Sequence, residues 1–247
     1  RLLPTLARVF YPRADAVVAV SKGVASDLVE KVGVPKSIVR VIYNPTVDEE
    51  IFSLMRERAS HPWLGDEGPP VLLSVGRLTA QKRFDVLLRA VSIVRRHRPV
   101  RAIILGDGGE RSRLGSLAGE LGLGDCVSLP GLEKNPYSYM ARARLYVMSS
   151  AWEGFPNALV EALACGLSVV STDCPSGPRE ILAVNELGAG SYGTLVPVDD
   201  PQMLAEGILF ELDRYRERAN LRRRAQTFTA ERAARSYIDL MRTRTTR

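Results

Sequence analysis

The chain has 247 residues, of which 45% are hydrophobic and 25% charged, a balance typical of a globular protein. No apolar run approaches the roughly 20 residues that cross a bilayer, and the first residues carry no signal-peptide pattern. The net charge of +6 fits an ordinary solvated surface, or attraction to nucleotide phosphates, a lipid diphosphate or an acidic membrane face. Aromatic residues are too sparse for base-stacking platforms, so we expect no nucleic-acid partner.

The cysteines and histidines follow no ligand pattern. Cys126, Cys165 and Cys174 are an odd number without a CxxC pair, which argues against a disulfide framework and a structural zinc site. His61 and His97 lie far apart and match no metal-ligand spacing. We therefore expect no metal site and a reducing, cytoplasmic location, where the basic charge is compatible with peripheral contact at the inner face of the membrane.

Apolar runs alternate with amphipathic segments along the whole chain. The predicted strands are Ala16–Val20, Val39–Tyr43, Val71–Val75, Ala102–Leu105, Cys126–Leu129, Leu145–Met148, Ser168–Ser171 and Thr194–Val196. The predicted helices are Val24–Lys31, Phe84–Arg96, Glu110–Leu121, Pro136–Ala143, Asn157–Ala164, Pro178–Ala183 and Pro201–Arg214. Short strands that alternate with helices of this length predict βαβ units in a parallel sheet, with helices on both faces.

A domain boundary is predicted after Asn44-Pro45, where a polar, irregular stretch runs to Gly68-Pro69-Pro70 and has the composition of a linker or hinge. The two strands and one helix before it are too few for a core of their own. We therefore expect them to be the last elements of a domain whose beginning is absent. The second βα series begins at Val71.

Two strand-end loops are candidate anion sites, because ligands bind beyond the carboxyl ends of the strands in open α/β sheets. In the first loop, Gly76 permits close approach of a ligand to the backbone, Arg77 offers a planar fork to phosphate oxygens, and Lys82 offers a point charge. The second, Gly106-Asp107-Gly108-Gly109, is glycine-rich but is neither GxGxxG nor a P-loop. Taken alone, either loop is equally explained as an ordinary turn, with Asp107 as a turn or cap residue.

The most specific segment runs from Glu153 to Gly166. Pro156 suits the first position of a helix, so the amides of Asn157, Ala158 and Leu159 would be unpaired donors at the positive end of the helix dipole. Glu153 precedes this helix and Glu161 lies about one turn inside it. Because a diphosphate would repel both carboxylates, they are better explained as acceptors for sugar hydroxyls. The alternative is that Glu153 caps the helix and Glu161 is a surface charge.

Taken together and in this order, these motifs resemble the retaining glycosyltransferases of GT-B fold known as family 4, or "glycosyl transferases group 1". The resemblance rests on Gly76-Arg77 with Lys82, on Gly106-Asp107-Gly108, and on Glu153 and Glu161 eight positions apart. The upstream segments Ala14–Lys22 and Val41–Pro45 are similar to the last elements of that family's N-terminal domain. The resemblance thus implies an α/β fold of GT-B type, with a Rossmann-like parallel-sheet C-terminal domain and a remnant of the N-terminal domain.

The resemblance also implies the domain limits and the roles of residues. Residues 1–46 would end the N-terminal domain, residues 47–222 would form the nucleotide-sugar-binding domain with a linker at 47–70, and residues 223–247 would form a C-terminal helix crossing back. Arg77, Lys82 and Glu153 would be catalytic: the first two would hold the diphosphate and Glu153 the donor sugar. Glu161 would accept from the ribose hydroxyls. The other implied donor-binding residues are Gly76, Gly106, Asp107, Leu129, Pro130, Gly154, Phe155, Pro156, Asn157, Ala158 and Leu159, with Leu129 and Pro130 lining the base pocket.

The implied activity is transfer of a hexose or N-acetylhexosamine from a nucleotide diphosphate sugar, with UDP as the expected carrier, to a glycan or lipid-linked acceptor. No Asp-x-Asp motif occurs, so we expect no cofactor and no divalent ion. The loop Ser176–Glu180 is similar to members that use galactose or N-acetylgalactosamine donors to build bacterial surface polysaccharides or lipid-linked oligosaccharides. The family's N-terminal Gly-rich loop and catalytic histidine have no counterpart here. A binding module without turnover, and a related GT-B enzyme that acts on sugar phosphates or epimerises UDP-sugars, therefore stay open.

Overall fold

The structure, a computed structural model, describes residues 2–65, 67–183 and 192–245. The strands are β1 (Val17–Ala19), β2 (Val39–Val41), β3 (Val71–Val75), β4 (Arg101–Leu105), β5 (Val127–Gly131), β6 (Leu145–Met148), β7 (Val169–Thr172) and β8 (Thr194–Val196). The helices are α1 (Leu2–Phe10), α2 (Lys22–Asp27), α3 (Glu49–Leu54), α4 (Phe84–Arg95), α5 (Arg111–Glu120), α6 (Pro136–Met140), α7 (Asn157–Ala164), α8 (Pro178–Ile181), α9 (Pro201–Asp213), α10 (Arg218–Ala225) and α11 (Ala230–Thr245). All eight predicted strands are confirmed to within two residues at each end.

The strands form two separate parallel sheets. β1 pairs with β2 alone, and the six-stranded sheet has the order β5-β4-β3-β6-β7-β8. Within the described ranges, no strand pairing joins β1 to β3. The large sheet runs outward from β3 in one direction through β4 and β5, and from β6 in the other through β7 and β8. The strand order therefore reverses between β3 and β6.

Both faces of the large sheet are covered by helices. Apolar side chains of α4, α5 and α9 pack on one face, and those of α3, α6, α7 and α10 pack on the other. Neighbouring residues of β7 show the alternation, because Val169 belongs to the core on one face and Val170 to the core on the opposite face. A sheet buried on both faces explains why its strands are continuous apolar runs rather than alternating ones.

The stretch at 47–70 is not irregular throughout, contrary to the sequence prediction. Asp48 caps α3 by accepting from the Ile51 amide at 3.2 Å, and a short 3-10 turn follows at Pro62–Leu64. Val47, Ile51 and Leu64 are buried in the core beneath the sheet. The many Pro, Gly and charged residues between these three apolar residues gave the segment the composition of a loop. Helices α1 and α10 were also not predicted.

The C-terminal helix begins beside the end of the first segment. Val47 forms a β-bridge with Thr229, and its amide donates to the Phe228 carbonyl at 3.0 Å. Tyr43, Phe155 and Phe228 make pairwise ring contacts with centroids 5.3–5.6 Å apart. This aromatic cluster joins the first segment, the loop before α7 and the turn before α11. It therefore lies where the two sheets and the C-terminal helix meet.

Candidate active site

The predicted site residues come from four adjacent strands of the large sheet. Gly76 and Arg77 follow β3, Gly106 and Asp107 follow β4, Leu129 and Pro130 lie in β5, and Glu153 lies in the loop after β6. All these strands are parallel, so their carboxyl ends lie at one edge. The loops after β3 and β6 flank the point where the strand order reverses, which is where open α/β sheets bind ligands.

Backbone contacts join the loops after β3 and β4. The Leu78 amide donates to the Asp107 carbonyl at 2.9 Å. Gly106 has φ 133°, and a Cβ there would lie 2.0 Å from the Gly76 carbonyl oxygen. At Gly108 a Cβ would lie 2.4 Å from the Leu78 carbonyl oxygen. The glycines therefore serve close backbone approach, and the Asp107 carboxylate accepts from the Gly108 amide at 2.8 Å, as a turn residue does.

We expect Gly106→Ala to destabilise the protein by roughly 1–3 kcal/mol, because the new Cβ clashes with backbone and the φ angle is strained. Denaturant unfolding measures the loss. Gly109→Ala is the matched control in the same loop, since a Cβ there meets nothing within 4 Å. Equal stability of the two variants would contradict this account of the loop.

Lys82 and Glu153 form an ion pair at the point where the strand order reverses. The Lys82 Nζ atom lies 2.6 Å from Glu153 Oε1, and their side chains are 22% and 9% exposed. The Ala151 amide donates to the Gln81 carbonyl at 2.8 Å and so attaches the loop after β6 to the loop after β3. Arg77 is exposed, and its guanidinium makes no hydrogen bond or ion pair with any described residue. A paired ammonium, a free guanidinium and a carboxylate are thus available at one edge of the sheet.

The start of α7 differs from the prediction in two respects. Pro156 is the N-cap residue, and Asn157 rather than Pro156 is the first helical residue. The Leu159 amide donates to the Pro156 carbonyl at 3.1 Å, so it is not an unpaired donor. Proline has no side-chain acceptor for the first turn, and a tightened turn satisfies this amide instead. The Asn157 side chain accepts from Asn44 Nδ2 at 3.0 Å and from Thr46 Oγ1 at 3.2 Å, which connects the hinge to α7.

Glu161 is a partly buried acid without a partner. Its carboxylate makes no hydrogen bond or ion pair with any residue in the described ranges. Burial, and then the nearby Asp48 carboxylate, raise the pKa of Glu161 to about 7. An acid left half-charged near neutral pH, without a donor from the protein, is suited to accept hydrogen bonds from a ligand.

The rim of the expected base pocket involves one residue that the motifs did not single out. Arg111 Nη2 donates to the Leu129 carbonyl at 2.6 Å, and Arg111 Nη1 is buried without a hydrogen bond. Arg111 begins α5 directly after the Gly-rich turn. That position in the sequence could have identified it as a candidate site residue.

Two further loops contribute to the site. One is the loop after β7, which contains the segment Ser176–Glu180 already noted in the sequence. The other is the loop after β6, of which Ser149 and Ser150 escaped the sequence reasoning. The loop after β7 reaches the site, because the Glu153 amide donates to the Pro175 carbonyl at 3.2 Å. Glu180 accepts from the Lys22 amide at 3.1 Å and from the Tyr43 hydroxyl at 3.0 Å, and so joins this loop to the first segment. Ser149 and Ser150 follow β6 and contact Lys82 and Glu153. Their place directly after an apolar strand was the only signal that could have found them.

The fold and the geometry define an α/β protein whose candidate ligand site lies where its strand order reverses. The family model described as glycosyl transferases group 1 matches residues 55–228, and that of glycosyltransferase family 4 matches residues 1–50. The chain therefore belongs to the glycosyl transferases group 1 family, and the resemblance drawn from the motifs is confirmed.

Among similar proteins is the N-acetylgalactosamine-N,N'-diacetylbacillosaminyl-diphospho-undecaprenol 4-alpha-N-acetylgalactosaminyltransferase of Campylobacter jejuni, 34% identical over 94% of this chain and 61% of its own length. A lipopolysaccharide core biosynthesis glycosyltransferase of Rhizobium meliloti is 31% identical over 81% of this chain and 54% of its own. The chain thus spans less than two thirds of these relatives.

Solved structures share the fold. Anabaena HepE in complex with UDP and glucose has a TM-score of 0.77 and 25% identity, covering 99% of this chain and 68% of that one. A glycosyltransferase from Rickettsia africae has a TM-score of 0.78 at 18% identity, covering 97% and 66%. The predicted α/β fold of GT-B type is confirmed by this similarity.

The described ranges contain neither a metal-ligand cluster nor a membrane-spanning helix. Residues 2–65, 67–183 and 192–245 contain no group of three His, Cys, Asp or Glu side chains placed to hold a metal ion. In the same ranges, no helix is long and apolar enough to cross a membrane.

Proposed function

We propose that this chain is the donor-binding part of a retaining glycosyltransferase. It moves a hexose or N-acetylhexosamine from a UDP-linked sugar to a glycan or lipid-linked acceptor in polysaccharide or glycoconjugate biosynthesis. The observation that carries the proposal is the contact between Lys82 Nζ and Glu153 Oε1 at the reversal of strand order. That contact supports the proposal, because a cation suited to a diphosphate lies beside a carboxylate suited to accept from a sugar hydroxyl.

The proposed role of the cations is to stabilise charge on the leaving nucleotide diphosphate. The Arg77 guanidinium has no protein partner in the described ranges and is free to bind phosphate oxygens in a planar fork. Lys82 contributes a second positive charge, and the first turn of α7 contributes backbone amides. Preorganised donors at the site of developing charge perform the task that Mg²⁺ performs in other phosphate sites. We therefore expect activity without a divalent ion.

The choice of donor and acceptor is supported by the similar proteins. The HepE structure contains UDP and glucose, which supports a UDP carrier. The name of the Campylobacter relative includes transfer of N-acetylgalactosamine to a diphospho-undecaprenol-linked sugar, which supports a lipid-linked acceptor. A lipid acceptor requires contact with a membrane surface, so a peripheral cytoplasmic location is part of the proposal.

A donor-binding module without turnover is the second candidate. The observation in its favour is that the chain spans only 61% of the Campylobacter relative's own length. An enzyme of the same fold that acts on a sugar phosphate, or one that epimerises a UDP-sugar, is the third.

Titration and product analysis with the full-length protein that carries this chain separate these candidates. We expect UDP and at least one of UDP-glucose, UDP-galactose and their N-acetylhexosamine counterparts to bind in calorimetry, with affinities unchanged by EDTA. Free sugar phosphates should not bind. We expect release of UDP that depends on a glycan or lipid-linked acceptor. Tight binding of a sugar phosphate, loss of binding in EDTA, or conversion of the UDP-sugar to its epimer would each refute the proposal.

A further inference from the structure

One oxygen of Glu153 has two donors. Oε1 accepts from Lys82 Nζ at 2.6 Å and from Ser150 Oγ at 2.7 Å. The Oε2 atom makes no hydrogen bond with any described residue. Both protein donors thus act on the same oxygen and leave the other for a ligand hydroxyl.

The two donors differ in their freedom to move. Ser150 is fully buried, and its carbonyl accepts from Thr172 Oγ1 at 2.6 Å, so its main chain is fixed against β7. Its side chain has a single rotatable bond before the oxygen. Lys82 carries its charge on a flexible four-carbon stem, and that stem passes beside the Gly76 backbone, with Cε 3.2 Å from the position of a Gly76 Cβ. The lysine side chain therefore has more freedom to turn toward a ligand than the serine hydroxyl has.

The adjacent Ser149 contacts Lys82 instead of Glu153, and it contacts the main chain of the lysine rather than its ammonium group. Its Oγ donates to the main-chain carbonyl of Lys82 at 2.8 Å. Ser149 therefore fixes the backbone from which the lysine side chain starts and leaves the ammonium free. Ser150, by contrast, acts directly on the Glu153 carboxylate.

We propose that Ser150 is a positioning residue that keeps the Glu153 carboxylate aimed at the donor sugar when Lys82 turns to the diphosphate. In the donor-free state, Lys82 and Ser150 both donate to the Oε1 atom of Glu153. When the diphosphate competes for the ammonium, the serine hydroxyl is the remaining protein donor on Oε1. Ser150 thus contributes to recognition of the sugar and not to recognition of the nucleotide. This inference rests on the proposed function.

Ser150→Ala in the full-length protein tests the proposal, with calorimetric titration of UDP and of the UDP-hexose that binds the wild type. We expect UDP affinity within about twofold of wild type and a loss of about tenfold or more in UDP-hexose affinity or in kcat. Ser150→Cys keeps the side-chain shape but is a weak donor, and we expect the same selective loss. Melting temperatures are measured for both variants.

Ser171→Ala is the matched control, because Ser171 is equally buried and its hydroxyl donates to the Thr172 carbonyl at 2.8 Å rather than to Glu153. It should leave the ratio of UDP-hexose to UDP affinity and the kcat unchanged. If folded Ser150→Ala and Ser150→Cys proteins keep that ratio and kcat, or lose UDP and UDP-hexose equally, the positioning role is overturned. Failure of the wild type to bind either ligand would instead refute the proposed function itself.

Discussion

Replacing Lys82 with Met should weaken UDP binding about tenfold to a hundredfold and reduce turnover at least as much. The substitution removes a charge-assisted contact to the diphosphate, worth about 1.5–3 kcal/mol. It also leaves Glu153, whose side chain is 9% exposed, without its cation at the strand-order reversal. A negative charge without its partner beside an arriving diphosphate repels it, which adds to the loss. Calorimetry with UDP, and a turnover assay on the full-length protein, measure the two effects.

Lys36→Met is the matched control for Lys82, because Lys36 is an exposed lysine in the turn before β2, outside the six-stranded sheet that carries the candidate site. It should bind UDP as the wild type does. A folded Lys82→Met protein with an unchanged dissociation constant for UDP would remove Lys82 from the donor site. A folded Lys82→Met protein that loses turnover but keeps UDP affinity would show that Lys82 acts through its ion pair with Glu153 and does not bind the diphosphate.

The fold could be predicted because its strands carry their signal locally. β3, β4 and β6 are short apolar runs with helices between them, and such runs indicate buried parallel strands without knowledge of any partner. Helix α3 was missed because its signal is not local. Ile51 belongs to the core through contacts with distant elements, whereas its neighbours in sequence have the composition of a loop.

The residues of the candidate site also fall into those with a local sequence signal and those that depend on distant contacts. Gly76 and Lys82 were singled out because they follow a recognisable strand, and ligand sites lie beyond the carboxyl ends of parallel strands. Glu153 was singled out because it precedes a predicted helix start, which is a candidate anion site. Ser150 contacts Glu153 only three residues away, but its importance depends on Lys82 arriving from the loop after β3. The contact of Asn44 with Asn157 spans 113 positions and depends on the packing of the first segment against α7. No local sequence pattern predicts contacts between residues so far apart in the chain.

Replacing Glu161 with Gln should weaken UDP and UDP-sugar alike, because the ribose is common to both ligands. Glu153→Gln should spare UDP and reduce the extra affinity or turnover that depends on the sugar. A carboxylate–hydroxyl hydrogen bond is worth about 1.5–3 kcal/mol, so each selective loss should be about tenfold or more. Glu120→Gln, at an exposed position of α5, should change neither ligand's affinity. If Glu153→Gln instead lowers the melting temperature and affects both ligands slightly and equally, Glu153 is a structural cap.

The pKa of Glu161 gives the same residue a second, independent test. Burial and Asp48 raise this pKa from its ordinary value of 4.5 to about 7. Between these two values the folded protein binds more protons than the unfolded chain, so this residue lowers the free energy of unfolding as pH rises from about 4.5 to about 7. The loss is on the order of 2 kcal/mol after allowance for partial exposure. Glu161→Gln should therefore be more stable relative to wild type at about pH 8 than at about pH 5.

The affinity for the ligand should also change as Glu161 ionises, but it should rise with pH where the free energy of unfolding falls. The ionised Glu161 carboxylate is the better acceptor for ribose hydroxyls, so affinity for the UDP-sugar should rise severalfold between about pH 6 and pH 8. The UDP-sugar is the correct probe, because a terminal phosphate such as that of UDP titrates near pH 6. In Glu161→Gln the affinity should be lower and independent of pH over this range. A pH-dependent affinity that persists in Glu161→Gln would show that another group titrates, and would remove Glu161 from the ribose site.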